Sequence, residues 1–106
     1  MKTYALTEQL WNDSKKQATY FSKDNGLVAL ASCVEADRRL PEEGFATHTV
    51  PEAFVVLSGE VAIGGPNGLV TVSAGTLAVI EANEPHYTLN NSGKPATLVA
   101  FSLSNA

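Results

Sequence analysis

The sequence predicts an all-β, single-domain fold, a small antiparallel sandwich or barrel. Three observations lead there. Short apolar runs rich in Val, Ile, Leu, Thr and Phe recur along the chain, at a spacing of roughly ten residues, the rhythm of β-sandwiches and barrels. Clusters of Gly, Asn and Pro separate the runs and supply turn chemistry. After residue 16 no helical apolar period persists. The chain has 106 residues, 44% of them apolar, enough for one core without disulfide staples but not for two.

In chain order, residues 1–16 read as a short N-terminal extension and residues 17–106 as the barrel domain. Thr7 suits the cap of a short helical turn carrying Leu10 and Trp11, with an edge strand as the alternative. Trp11 is expected to cover one end of the core or a subunit contact. Ala18–Phe21 is a strand, Lys23–Gly26 a turn, and Leu27–Val34 a strand apolar on both faces. Cys33 lies inside that run with no basic neighbour to activate it, so it reads as a small core residue. Glu35–Arg39 is a charged exit to the surface, and Pro41 and Gly44 mark a bend.

Pro51 can open a strand without costing a ladder hydrogen bond, and Ala53–Leu57 follows it. Ser58-Gly59-Glu60, Gly64–Gly68 and Ala74-Gly75 are turns. They separate strands over Val61–Ile63, Leu69–Val72 and Thr76–Ile80. Glu81–Pro85 is a loop before a short strand at His86–Leu89. Asn90–Pro95 turns into a closing strand, Ala96–Leu103. The count is about eight or nine strands.

Composition removes several function classes. The net charge is −4 and no basic run is present, which argues against nucleic acid. No stretch is long enough to span a membrane, and the first residues lack the apolar core of a signal peptide, so the expected location is cytoplasmic. With one cysteine there is no intrachain disulfide. No phosphate-binding loop, Cys-x-x-Cys pair or nucleophile–base arrangement appears. Metal-assisted or purely binding chemistry remains.

His48 and Glu52, four residues apart, sit at the mouth of the apolar strand Ala53–Leu57, and His86, the chain's other histidine, lies in a second stretch, residues 84–90. Polar groups leading into buried strands must be satisfied by something. If the pleat continues through Pro51, His48 and Glu52 share a face, with Phe54 and Val56 lining the same pocket. His86, Thr88 and Asn90 share a face by the same argument. Asn90 is then a pocket polar group or a partner to a ligand, or else it closes the following turn with Asn91. Tyr87 points the other way, to the surface or a subunit contact. Glu81 and Glu84 read as loop charges near the mouth, and Arg38 and Arg39 as a solvated loop.

Residues 44–90 resemble the cupin superfamily, small jelly-roll barrels of the double-stranded β-helix type that hold a metal or ligand inside. His48, Glu52 and Gly59 match its first motif, with Ala46 in the first histidine slot and Leu40 in the opening glycine slot. Gly75, His86 and Asn90 match its second, with Glu81 in the proline slot. Asn83 stands in a glycine slot, a mild change because Asn tolerates left-handed backbone. The resemblance implies a metal set of His48, Glu52 and His86, adequate for iron, manganese, nickel or zinc. It implies a small organic substrate, oxygenase, isomerase or lyase chemistry, and a homodimer. The Ala46 substitution keeps two other readings open. One is a metal-free ligand-binding or sensor barrel, with His48 and His86 as hydrogen-bonded core histidines. The other is a structural partner with a filled barrel.

Overall fold

The computed structural model describes residues 1–6, 19–23 and 26–103. The expected helical turn at Thr7–Trp11, the boundary at residue 16 and the Asp24–Asn25 half of the first turn lie outside the described residues.

Nine strands are present and no helix appears among the described residues. They are β1 (Thr19–Ser22), β2 (Leu27–Val34), β3 (Arg39–Leu40), β4 (Glu52–Ser58), β5 (Glu60–Gly65), β6 (Gly68–Ser73), β7 (Leu77–Ile80), β8 (Tyr87–Leu89) and β9 (Ala96–Leu103). One sheet has the order β1-β2-β9-β4-β7 and the other β3-β8-β5-β6. Every described pairing is antiparallel. Two such sheets face to face form a β-helix sandwich whose core lies between them.

Alternation along each strand sorts the side chains. On β4, Phe54 and Val56 are buried, and on β9, Ala96, Leu98 and Ala100 are buried. With Val34, Val61, Val72 and Ile80 these residues form the core cluster. The opposite residues of the five-stranded sheet face outward. Leu27, Leu57, Leu77, Val79, Phe101 and Leu103 all remain exposed there. The expectation that β2 is buried on both faces holds at Ala31 and Ser32, adjacent residues on opposite faces, and fails at Leu27, which no described residue covers.

Two loop readings are corrected by long-range pairing. Arg39–Leu40 is a strand, paired with Thr88–Leu89 of β8. Arg39 is also not a free surface charge. Its guanidinium donates to the carbonyls of Pro41 (2.7 Å) and Gly44 (2.8 Å) and lies 3.9 Å from the centroid of the Tyr87 ring. Tyr87 in turn meets Phe45 at 5.8 Å between centroids and lies directly over Gly64, its cross-strand partner. Any Cβ at Gly64 would strike that ring.

Asn90 is fully buried and joins distant parts of the chain. Its amide donates to the carbonyls of Val34 (2.9 Å) and Lys94 (2.7 Å), and its side-chain oxygen accepts from Ser92 N–H and Oγ. The side chain thus ties the end of β2 to the turn before β9. Replacing Asn90→Ala removes the buried donor to the Val34 carbonyl and unties the turn at Ser92 and Lys94. The expected loss is about 2–4 kcal/mol, read as a lower urea midpoint with an unchanged slope. An unaltered midpoint would contradict this role.

Candidate metal centre

The site is assembled by two segments that do not belong to one strand. His86 forms an isolated antiparallel bridge with Ala46: Ala46 N–H donates to the His86 carbonyl at 2.8 Å, and His86 N–H to the Ala46 carbonyl at 3.0 Å. Asn83 N–H donates to the His48 carbonyl at 2.6 Å. Asn83 adopts φ 62°, the left-handed conformation that its place in a glycine slot leads one to expect. The loop over residues 81–85 is closed by Glu84, whose carboxylate accepts from Glu81 N–H at 2.8 Å.

These ties bring His48, Glu52 and His86 together. One ligand atom from each lies within 4.8 Å of the others. That spread is slightly wider than two metal–nitrogen bonds end to end, roughly 4.2 Å. His48 Nε2 is 3.7 Å from Glu52 Oε2, and the two imidazole centroids are 5.3 Å apart. His86 is buried and Glu52 half-buried, whereas the His48 side chain is 49% exposed and can turn to close the set. His48 reaches the site from the loop before β4, not from the strand itself. The continuous pleat expected through Pro51 is therefore replaced by a loop pinned at Asn83.

The orientation of His86 follows from its partner. Its Nδ1 is 2.9 Å from the Glu84 carbonyl, an atom that can only accept. Nδ1 therefore carries the proton, and the Nε2 lone pair is left for a ligand. Metal-binding histidines are commonly held this way, by a carbonyl or carboxylate on the other nitrogen. Glu52 lies on β4, between β9 and β7, and so is not an edge-strand charge.

A cavity of about 140 Å³ lies between the sheets, with Glu52, Phe54, His86 and Thr88 among its lining. Above it, a vestibule of about 420 Å³ is lined by His48, Glu52, Tyr20, Val28, Thr47 and Ser102, among others. Two expected pocket residues are corrected. Val56 shares the inward face of β4 but is fully buried in the core cluster and does not line the cavity. Asn90 shares the face of His86 and Thr88, but its amide is taken up by Val34, Lys94 and Ser92, so it is no pocket group. The vestibule residues Tyr20, Val28 and Ser102 carry no local sequence signal. Their role arises because β1, β2 and β9 bring them beside β4. The thiol of Cys33 is pushed up from its ordinary range, first by burial and then by Glu35, consistent with an unreactive residue.

A family model described as a cupin domain matches residues 40–102. Several solved structures share the fold. A protein from Thermus thermophilus is 19% identical, with 98% of each chain covered and a TM-score of 0.80. A Neisseria meningitidis protein is 21% identical, with 97% of this chain and 100% of that one covered and a TM-score of 0.74. A sugar phosphate isomerase from Silicibacter pomeroyi is 17% identical, with 76% of this chain and 52% of that one covered and a TM-score of 0.67. No curated protein matches the sequence.

Proposed function

The chain belongs to the cupin domain family, and from that premise we propose that it holds a divalent metal on His48, Glu52 and His86 and binds or converts a small organic molecule beside it. The observation that carries this reading is the convergence of three donor atoms within 4.8 Å, drawn from two distant segments. Two imidazoles and one carboxylate suit iron(II), manganese, nickel or zinc and leave positions open. A metal bound there would polarise an oxygen-bearing substrate or activate water or dioxygen. The protein's own groups do the rest. The Glu84 carbonyl holds the His86 ring. Phe54, Leu30 and Leu98 keep the inner cavity apolar. Thr88 offers it a neutral hydroxyl. An oxygenase, an isomerase and a lyase are all compatible with such a site, because the fold does not choose the reaction.

A second reading has its own support. Ala46 cannot ligate, so the barrel could take a small ligand without metal or turnover, as a sensor would. A ligand-induced thermal shift that survives chelator would favour that reading.

We further propose that the chain pairs with a second copy through the outer face of the five-stranded sheet. Its outward positions on β2, β4, β7 and β9 carry no charged residue. The six exposed large side chains there leave about 100 Å² apiece, on the order of 600 Å² together. That is most of the roughly 800 Å² each partner of a stable pair buries. An uncharged face offers a charged partner nothing to read, and a two-fold axis places it against itself.

Two experiments test these readings. Titration calorimetry with iron(II), nickel or zinc should give one ion per chain, with affinity reduced about 100-fold or more in His86→Ala. Ala46 stands opposite His86 in a hydrogen-bonded pair, so its side chain shares the face of the imidazole. Ala46→His should therefore tighten binding by about tenfold. No stoichiometric uptake, or an unaffected His86→Ala, would overturn the metal reading. For the pairing, light scattering should give the mass of two chains. The double variant Leu77→Glu, Phe101→Glu should give one, with its circular dichroism unchanged. A single-chain mass for the unaltered protein would refute it.

A further inference from the structure

Three cavities touch the His48–Glu52–His86 group, and their linings share an electrostatic property. The inner cavity includes Glu52 as its only charged side chain besides its histidine. The vestibule likewise includes Glu52 alone besides its histidine. A lateral groove of about 530 Å³ between the β5–β6 hairpin and β7 reaches His86 from the side, and its only other charge is Glu84. Among the described residues, no Lys or Arg lines any of the three. Two described cations outside these linings are held on aromatic rings. Arg39 is bonded to Pro41 and Gly44 and stacked on Tyr87. Lys23 lies 4.7 Å over the ring of Tyr20, a vestibule residue, without itself entering the lining.

Resting on the metal reading above, we infer that the substrate is a neutral or singly charged oxygen donor with an apolar body, and that phosphate esters and dicarboxylates are excluded. A divalent ion beside the Glu52 carboxylate keeps about one net positive charge, which neutralises one negative charge on a ligand. A phosphate ester carries about −1.5 to −2 at neutral pH. Its surplus charge meets no cation among the described lining residues and lies close to Glu52 instead. An unpaired charge moved from water into such a site is strongly disfavoured. The body of the ligand is read from the walls. Val28, Leu30 and Val50 line the vestibule with Tyr20, while Thr47 and Ser102 offer only neutral hydroxyls. The inner cavity, about 140 Å³, takes a compact donor head and leaves the apolar body in the vestibule.

The test uses probes that share a body and differ in charge. Cobalt(II)-loaded protein is titrated with benzyl alcohol, benzoate, acetate and phenyl phosphate, followed through the cobalt absorption bands. Benzoate should bind about tenfold or more tighter than phenyl phosphate, and tighter than acetate by a similar factor, as an apolar pocket requires. Ser102→Lys adds a cation at the vestibule, and in the cobalt-loaded variant the preference should move toward phenyl phosphate. Phenyl phosphate binding as tightly as benzoate, or acetate equalling benzoate, would overturn the inference. Failure to take up cobalt refutes the metal reading instead. The same probes are then ranked by ligand-observed NMR on the metal-free protein, where equal or stronger phenyl phosphate binding would again overturn the charge preference.

Discussion

Three backbone hydrogen bonds hold the site together. Two join Ala46 to His86, and one joins Asn83 to His48. Without them the two histidines would sit on separate loops entering opposite sheets. Because the donors and acceptors are backbone groups, their geometry does not depend on side-chain rotamers, and the bridge sets His86 opposite Ala46. The left-handed turn at Asn83 aims its N–H at the His48 carbonyl. The side chains then need only small rotations to converge.

The outer surface of the smaller sheet secures the same end from behind. Tyr87 lies over Gly64, with Arg39 and Phe45 against its ring. Strand alternation gives the neighbours of Tyr87 no choice: His86 and Thr88 must point inward. The Glu84 carbonyl then selects which nitrogen of His86 faces the cavity. Packing on one face thus becomes imidazole orientation on the other. Asn90 continues the inward face past the cavity and closes the far end of the barrel, using its amide for architecture.

Much of this was legible in the residues themselves. The strand rhythm and turn residues place β4 to β9 within a residue or two, because period-two patterns and Gly-Asn-Pro turns are local signals. His48, Glu52 and His86 stood out because two rare imidazoles and a carboxylate lead into apolar strands at spacings resembling those of a known barrel. Asn83 was readable because the backbone tolerance of Asn is intrinsic to it. Long-range partners were not readable. Arg39–Leu40 looks like charged loop until Thr88–Leu89 arrives beside it, and Asn90 looks like a pocket amide until the Val34 carbonyl is seen next to it. Val56 has the right parity and the wrong depth, which alternation alone cannot tell. The doubly apolar pattern of Leu27–Val34 announced an outer face in need of cover, which is supplied at Ala31 but not at Leu27 among the described residues.

The account depends on one convergence, and anomalous scattering from crystals soaked with iron, nickel or zinc tests it most directly. A single peak bounded by His48 Nε2, a Glu52 carboxylate oxygen and His86 Nε2 is the predicted result. A peak elsewhere, or no peak with the three side chains turned away from one another, would contradict it.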